Sequence, residues 1–506
     1  MASETSVIGL TVLAAFAILG WGFYRARPFG KLGILAWLQS VVLMAPWLLL
    51  FGLFAAGIYI NIVGVLFLVV ASAGLYIWLG NRLRAAGQDA LLRSKAIERL
   101  TNSTQEANPI EQPDGTAKLS PRLPLNLDVV SIPEEDLSAL RGIFGIDTFF
   151  ATETIPYQEG IIFKGNLRGE PATVHARLTT SLQERLGDRY RLFLVESPEG
   201  KPTIIVLPSR SDPRATTLPQ KVLAAVLLVA TIATSLETGG LLLGFDFFTN
   251  PARFREPLPI AAGILAVLIA HEIGHRLLAR RHQIRLSPPF FLPTLQIGAF
   301  GAITRFESLV PNRKVLFDVA VAGPALGGIV SLLMLIVGLL FSQQGIAWGF
   351  NTREFQVPTE FFQGSILVGT LARVVLGAAV HEPLVNVHPL AVIGWLGLVI
   401  TALNLMPAGQ LDGGRIVQAI YGRKTAGRTT VATLIVLAIA SLANPLALYW
   451  AIVILFLQRD LERPSLDELT EPDDARAALG LLVLFLMIAT LLPITPALAG
   501  RLGIGG

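Results

Sequence analysis

The stretch "LAVLIAHEIGHRLLARR", residues 265–281, is an apolar run that carries two histidines and a glutamate before it ends in arginines. Burying such side chains in a hydrophobic helix is costly unless something binds them. On a helix, His271 and His275 lie one turn apart on one face, where two imidazoles can ligate one zinc ion. Glu272, beside them, can accept a proton from water. The stretch therefore predicts a membrane helix that carries part of a metal site.

The composition is that of a membrane protein. Of the 506 residues, 53% are hydrophobic and 15% are charged, whereas soluble domains carry about 25% charged residues. The mean hydropathy is +0.61. A net charge of +4 gives no nucleic-acid footprint, so we expect no nucleic-acid partner. The absence of cysteine excludes disulfides, thiolate metal ligands and a cysteine nucleophile.

Apolar runs of about 20 residues, long enough to cross a bilayer, recur along the chain. We expect spans near residues 6–24, 32–56, 60–80, 221–243, 258–280, 317–342, 389–408 and 478–497. The run at 429–458 is interrupted at Asn444 and Pro445, which fits one tilted span or a tight pair of short helices. Successive spans must alternate in direction while the basic loops stay cytoplasmic. This requirement leaves 362–380 as a re-entrant or interfacial segment rather than a span.

The N-terminal "MASETS" lacks the basic region and cleavage site of a secretory signal and the Arg/Ser-rich stretch of a transit peptide. We therefore expect a retained first helix, in a bacterial (cyanobacterial-type) plasma or thylakoid membrane. Lysine and arginine near the span ends, including Arg276, Arg280 and Arg281 after the histidine pair, favour a cytoplasmic position for those ends.

The segment between the third and fourth spans has a different composition. Residues 82–131 are polar and partly proline-rich, which predicts a linker. In residues 132–219, "GIIFKG" predicts a strand, "PATVHARLTTSLQERLG" an amphipathic helix and "RYRLFLVESPEGKPTIIVLPS" a hairpin. We predict a soluble α+β domain on the cytoplasmic side. Nothing in it indicates catalysis, and His175 is expected to be structural.

A catalytic zinc usually has three protein ligands, so a third ligand must come from elsewhere. Topology or context disfavours five candidates: His282, Asp318, His381, Glu382 and His388. Asp412, in "NLMPAGQLDGGR", follows an inward-running helix at the depth of the histidine pair. Topology and chemistry together select Asp412, although "LDGG" alone also fits a simple turn after a span.

The two motifs H-E-x-x-H and N-x-x-P-x-x-x-L-D-G together resemble those of the site-2 proteases, which are zinc intramembrane proteases. The resemblance implies that His271, His275 and Asp412 ligate one Zn²⁺ per chain and that Glu272 is the general base. "AGPALGG" resembles the small-residue motif of an intervening core helix. "GNLRG" at 165–169, "FGAITRFES" and "HPLAVIGWLGLVITALNLMPAGQLDGGR" are similar to the cyanobacterial and plastid branch known from the ethylene-dependent gravitropism-deficient and yellow-green proteins.

A peptide bond inside a transmembrane helix is hydrogen-bonded and shielded, so its protease must first unwind it. "LQIGAFGAITRF", residues 295–306, fits a membrane-dipping strand whose edge pairs with an extended substrate, with Gly298, Phe300 and Gly301 as contacts. It fits tight helix packing through glycines equally well. Asn404 is expected to hydrogen-bond the substrate backbone or the developing oxyanion.

We therefore predict an all-α polytopic membrane protein with an inserted cytoplasmic α+β domain. The expected parts are N-terminal transmembrane helices (1–81), a linker (82–131), the α+β domain (132–219), an intramembrane zinc protease core (220–458), and a charged loop with a C-terminal transmembrane helix (459–506). The expected function is hydrolysis of peptide bonds within or next to transmembrane segments of membrane proteins, in contact with membrane lipid. A catalytically silent scaffold or chaperone, and a transporter, are the alternatives. The first would lack a motif residue, and the second would show paired halves.

Overall fold

The computed structural model describes residues 132–504 except 158–159, 198, 345–355 and 443, together with 30–55 and scattered positions between 20 and 83. Most of the predicted span at 6–24 and nearly all of the linker at 82–131 fall outside these residues, and the predicted span at 60–80 is described only in part. The chain divides into two compact units, residues 1–127 with 434–459 and residues 128–433 with 460–506.

In the first unit, the predicted span at 32–56 corresponds to helix α1, Gly30–Ala55, which contains Pro46. The interruption predicted in the run at 429–458 is also present. One helix ends at Ala440, and a new one begins at Pro445 with the Asn444 side chain accepting a hydrogen bond from the Leu446 amide. The run is therefore not a single continuous helix, because a proline cannot supply the amide that would continue the ladder.

The second unit contains a four-stranded antiparallel sheet in the order β1-β2-β4-β3 with two helices, which we call the sheet layer. Its elements are α2 (Glu134–Arg141), β1 (Phe149–Tyr157), β2 (Gly160–Leu167), α3 (Pro171–Leu186), β3 (Tyr190–Glu196) and β4 (Pro202–Pro208). The predicted strand, amphipathic helix and hairpin are confirmed. Helix α3 is amphipathic and buries Val174, Leu178, Leu182 and Leu186 at helical spacing. "GNLRG" ends β2 and turns into α3 through Gly169, whose φ is +108°.

The sheet layer is continuous with the rest of the second unit. The amide of Leu194 in β3 donates to the carbonyl of Leu466 at 2.8 Å, and the amide of Glu468 returns a bond of 2.9 Å to the Leu194 carbonyl. The amide of Leu466 in turn bonds the Val310 carbonyl at 2.9 Å. The charged loop that follows residue 459 therefore joins the sheet to the chain just before a membrane helix.

Four of the described helices are long and apolar enough to cross a membrane. They are α4 (Leu218–Leu242), α5 (Leu258–Arg281), α6 (Arg313–Gln344) and α12 (Asp474–Leu491). They coincide with the spans predicted at 221–243, 258–280, 317–342 and 478–497. The segment at 362–380, which is predicted to be re-entrant or interfacial, forms only short helices.

The remaining elements are short apart from α10. They are β5 (Phe290–Thr294), β6 (Gly298–Ile303), β7 (Gln356–Pro358), α7 (Glu360–Gln363), α8 (Ile366–Leu376), β8 (Leu384–Asn386), α9 (Pro389–Asn404), α10 (Asp412–Ala440), α11 (Pro445–Val453) and α13 (Pro496–Leu502). Within the span predicted at 389–408, the helix ends at Asn404, four residues earlier than predicted. Helix α9 has 16 residues, about 24 Å at 1.5 Å per residue, because the chain must leave helical geometry before Pro407.

The glycine-rich stretch at 295–306 forms the second strand of an antiparallel hairpin, with β5 paired to β6. Gly298 has φ +85° and Gly301 has φ +117°, values that a helix excludes. The strand interpretation is therefore confirmed, and the helix-packing alternative was wrong. Helix α4 supports the hairpin, since the Thr234 hydroxyl donates to the Gly298 carbonyl at 2.6 Å.

Helices α5, α6 and α9 approach one another through small residues. A Cβ at Gly274 would overlap the Ala322 carbonyl, and one at Gly394 would overlap the Leu335 amide. Backbones that come this close gain van der Waals contact, which is the main attraction between helices in lipid. This close packing brings the polar residues of α5 against its neighbours.

Candidate metal centre and active site

Three potential metal ligands from distant parts of the chain converge at one point. His271 and His275 project from α5, and Asp412 is the first residue of α10. The Nε2 atoms of the two histidines are 3.1 Å apart, and Asp412 Oδ2 lies 3.1 Å from His271 Nε2 and 3.4 Å from His275 Nε2. All three side chains are buried. Among the described residues, this is the group of three or more ligand-type side chains that could hold a metal ion.

The size and chemistry of this group fit zinc. In a tetrahedral site with bonds of 2.0–2.1 Å, ligand atoms lie about 3.3 Å apart, close to the three separations observed. The His275 Nδ1–H donates to the Val319 carbonyl at 2.8 Å. This bond leaves the lone pair on Nε2, facing His271 and Asp412, and it is the kind of outer contact that orients metal-binding histidines.

Glycines allow neighbouring backbone segments to approach the candidate ligands closely. A Cβ at Gly323 of α6 would overlap the His275 ring, and one at Gly327 would lie 3.0 Å from His271 Cβ. On the other side, a Cβ at Gly413 would overlap the Leu405 carbonyl. The "AGPALGG" and "LDGG" stretches therefore owe their small residues to the close approach of α6 and of the turn before α10.

Glu272 is buried beside the ligands and is held by a residue that the sequence analysis missed. The Thr304 hydroxyl donates to Glu272 Oε2 at 2.9 Å. Thr304 follows β6, so the hairpin fixes the orientation of the carboxylate. Arg415 donates to the Thr304 carbonyl at 2.9 Å and pairs with Glu462 at 2.9 Å.

Known proteins resemble this chain over most of its length. Residues 259–443, which include the three candidate ligands and Glu272, match peptidase family M50, and residues 138–213 match the EGY3 middle domain. The probable zinc metalloprotease EGY2, chloroplastic, of Arabidopsis thaliana is 41% identical over 390 residues, which are 75% of this chain and 68% of the relative. The chain belongs to peptidase family M50.

Other relatives of this M50 chain carry related names. The probable zinc metalloprotease EGY1, chloroplastic, of Arabidopsis thaliana is 38% identical over 396 residues, 72% of each chain. The probable zinc metallopeptidase EGY3, chloroplastic, of the same plant is 34% identical over 378 residues, 71% of this chain and 65% of the relative. No solved structure matches significantly. The chain is a site-2-type zinc metalloprotease, and its relatives imply zinc.

Two of the four residues predicted to contact substrate in this M50 chain lie beside the ligand group. Gly301 and Asn404 line one narrow space together with His271 and Glu272. The Asn404 Nδ2 donates to the carbonyls of Phe300 at 3.0 Å and Ile400 at 2.8 Å. Its amide is therefore engaged in fixing β6 to α9. The backbone of Phe300 takes part in this contact while its side chain is buried.

The disfavoured histidines and acids of the M50 chain lie apart from the ligand group. Asp318 receives two bonds from Arg476, at 2.7 and 2.9 Å, and lies 3.4 Å from His282 Nε2. His388 caps α9 by accepting from the Leu390 amide at 3.2 Å. His175 lies 3.3 Å from the Leu192 carbonyl, in the structural role that was predicted. These contacts explain the polar residues without a metal.

Proposed function

We propose that this M50 protease hydrolyses peptide bonds within or next to transmembrane segments of membrane proteins. The observation that carries the proposal is the position of Glu272. It is a buried acid beside two imidazoles and a carboxylate, on a helix long enough to span a membrane. A group of this kind buried in a membrane span is functional by default, because the cost of burial needs compensation.

His271, His275 and Asp412 would hold one zinc ion per chain, and zinc supplies Lewis acidity for hydrolysis when bound. The carboxylate of Glu272 accepts a proton from the attacking water and returns it to the leaving amine. The Thr304 hydroxyl holds Oε2 of Glu272 and so fixes the orientation of the carboxylate that accepts the proton. The base is therefore oriented before the substrate binds, so the entropic cost of orienting it does not add to the reaction barrier.

The substrate would bind as an extended segment along the β5–β6 hairpin, with Gly298, Phe300 and Gly301 as contacts. Backbone pairing of this kind needs no particular side chain and so suits many membrane substrates. Asn404 acts in this scheme by holding the Phe300 carbonyl, and its predicted bond to substrate or oxyanion would require it to release that carbonyl. Membrane lipid would surround the exposed apolar faces of the spans.

The Lys/Arg distribution supports a cytoplasmic position for the arginine-rich C-terminal end of α5 and for the sheet layer. The EGY relatives are named chloroplastic, which favours a plastid-type membrane over the bacterial plasma membrane for this chain. The released product would then be a segment on the cytoplasmic or stromal side.

The test compares the full-length wild type with Glu272→Gln on a model transmembrane substrate, with zinc content measured in parallel. We expect the variant to keep the wild-type zinc content and to lose about a hundredfold or more of its cleavage rate, as expected for removal of a general base. Glu256→Gln is the matched control, because Glu256 is an exposed acid in the loop before α5. Zinc binding with equal cleavage by wild type and Glu272→Gln would contradict the proposal. A zinc-free wild type would favour a scaffold or transporter.

A further inference from the structure

A polar cavity of about 700 Å³ lies next to the candidate active site. Four parts of the second unit line it: the connection from the sheet layer to α4, the residues between β6 and α6, Gln410 in the turn before α10, and the loop at 462–464. Its volume is in the range of pockets that bind ligands, about 300–1,000 Å³. Nothing in the proposed chemistry uses it.

The cavity is joined to the active site at two points. Thr304 donates to Glu272 at 2.9 Å, and the next residue, Arg305, lines the cavity. Glu462 also lines the cavity, and its carboxylate is bound by Arg415, which lies 3.8 Å from Asp412. A chain that leaves the active site along the end of β6 therefore enters this cavity.

The acids of the cavity already have partners. Asp212 is paired with Arg191 at 3.0 Å, and Arg191 does not line the cavity. Glu307 accepts from the Thr216 amide at 2.8 Å and from the hydroxyl of the same residue. Glu462 is neutralised by Arg415. Arginines from outside the cavity thus compensate the charges of Asp212 and Glu462, whereas Glu307 is hydrogen-bonded by neutral groups and keeps its negative charge.

The charges of Arg214, Arg305 and Arg463 are compensated less completely than those of Asp212 and Glu462. Among the residues that the structure describes, no carboxylate lies within salt-bridge distance of Arg214 or Arg305. The Arg305 guanidinium lies 5.3 Å from the centroid of the Phe290 ring, a contact that keeps its positive charge. Arg463 donates to the Ser211 carbonyl at 3.0 Å, which also leaves its charge uncompensated. The cavity therefore has an excess of positive charge and suits an anionic ligand.

We propose that this cavity binds acidic side chains in the substrate segment that flanks the cleaved transmembrane part, with Arg214 and Arg305 setting the preference. The inference rests on the proposed function. The continuity from β6 to Arg305 favours a polypeptide over an anionic lipid, because an extended chain paired with β6 continues directly into the cavity. Charge complementarity at such a site discriminates between partners more than it raises affinity.

The experiment measures binding without cleavage. Full-length protein carrying Glu272→Gln is titrated against two fluorescent peptides of equal length, one with an acidic segment and one with the amides in the same positions. We expect about a fivefold to tenfold tighter binding of the acidic peptide, weakening as salt rises. Adding Arg214→Gln and Arg305→Gln, both at exposed positions, should bring the two affinities together. Arg177→Gln removes an exposed arginine from the sheet layer and should leave the difference intact.

Each outcome separates this inference from the proposed function. Equal binding of the two peptides, or a difference that survives the double substitution, would overturn the cavity proposal even if the wild type cleaves substrate. An acidic preference in a protein that binds zinc but cleaves nothing would leave the cavity assignment in place and remove the protease proposal. If the double substitution weakens binding to phosphatidylglycerol vesicles but not to the acidic peptide, the site is a lipid site and the proposal is wrong.

Discussion

Two buried aspartates of the second unit are held in opposite ways. Asp136, in the sheet layer, accepts from the permanently charged Arg189 at 3.0 Å and from the Tyr190 hydroxyl at 2.7 Å. Asp412 faces two imidazoles at 3.1 and 3.4 Å, while Arg415, 3.8 Å away, is bound more closely to Glu462. The charge of Asp136 is compensated within the protein by Arg189. Asp412 belongs to a group that could hold a metal ion, and we propose that this difference separates a structural acid from a metal ligand.

The largest effect is expected from Asp412→Asn, which keeps the shape of the side chain and removes its charge. Zinc affinity should fall by about a hundredfold or more, because a metal ligand contributes more than the 10–100-fold of its outer partners. Chelator competition measures the affinity, and cleavage should be lost with the metal. Asp136→Asn is the matched control and should keep wild-type zinc affinity. Equal zinc affinity in the two variants would remove the distinction between the acids.

Arg415→Met should lower the free energy of unfolding by about 3–5 kcal/mol, because it leaves the buried Glu462 without its cation. Thermal unfolding in detergent measures this. Replacing Glu462 by Leu in the same protein should restore most of the stability, since a paired apolar replacement is often neutral.

The same double variant tests whether Arg415 also positions the active site. In this variant the Thr304 carbonyl no longer accepts a hydrogen bond from residue 415. The kcat should therefore stay below that of the wild type even when stability returns. Recovery of the kcat together with stability would show that Arg415 has a structural role alone.

Thr304→Val should reduce the kcat by about tenfold while leaving zinc content and stability close to wild type. The substitution keeps the shape of the side chain and removes the donor to Glu272. Steady-state kinetics on the model substrate separate kcat from KM, and the KM should change little. An unchanged kcat would mean that the carboxylate is oriented by other contacts.

The smallest effect is expected in the sheet layer. Burial and then the hydrogen bond to Asp136 raise the pKa of Tyr190 to about 12. The neutral phenol therefore stabilises the fold below the ordinary pKa of about 10, and this contribution is lost as the pH rises through 12. Asp136→Asn should cost about 1 kcal/mol near neutral pH and lower the pKa of Tyr190, as followed by ultraviolet absorbance. A pKa that stays near 12 in the variant would show that burial alone sets it.

The sequence predicted the group of potential ligands that the structure brings together, because polar residues stand out in apolar helices. His271, Glu272 and His275 break a membrane span at helical spacing, and Asp412 is the acid at matching depth. Thr304, Arg415 and Glu462 are ordinary residues in their local sequence, and they acquire a role only when three distant segments meet. No local sequence pattern indicates that these segments contact one another.

The secondary structure was predictable where the hydrophobic periodicity is strong. It was not predictable where glycine and proline determine the backbone conformation. Residues 295–306 fit a strand and a helix equally, and the positive φ values of Gly298 and Gly301 resolve the question. The span at 389–408 was predicted too long, since hydropathy continues through Pro407 while helical geometry ends at Asn404. The attachment of the sheet layer through Leu194 and Leu466 depends on pairing across the chain, which the composition of the loop does not encode.

The most direct test of the account is zinc analysis with X-ray absorption on the purified full-length protein. We predict one zinc per chain, with nitrogen and oxygen neighbours at about 2.0–2.1 Å and scattering from two imidazoles. The zinc should be absent from a His271→Ala and His275→Ala double variant that retains wild-type helical content. Absence of zinc from the wild type, or zinc retained in the double variant, would contradict the assignment of the metal centre.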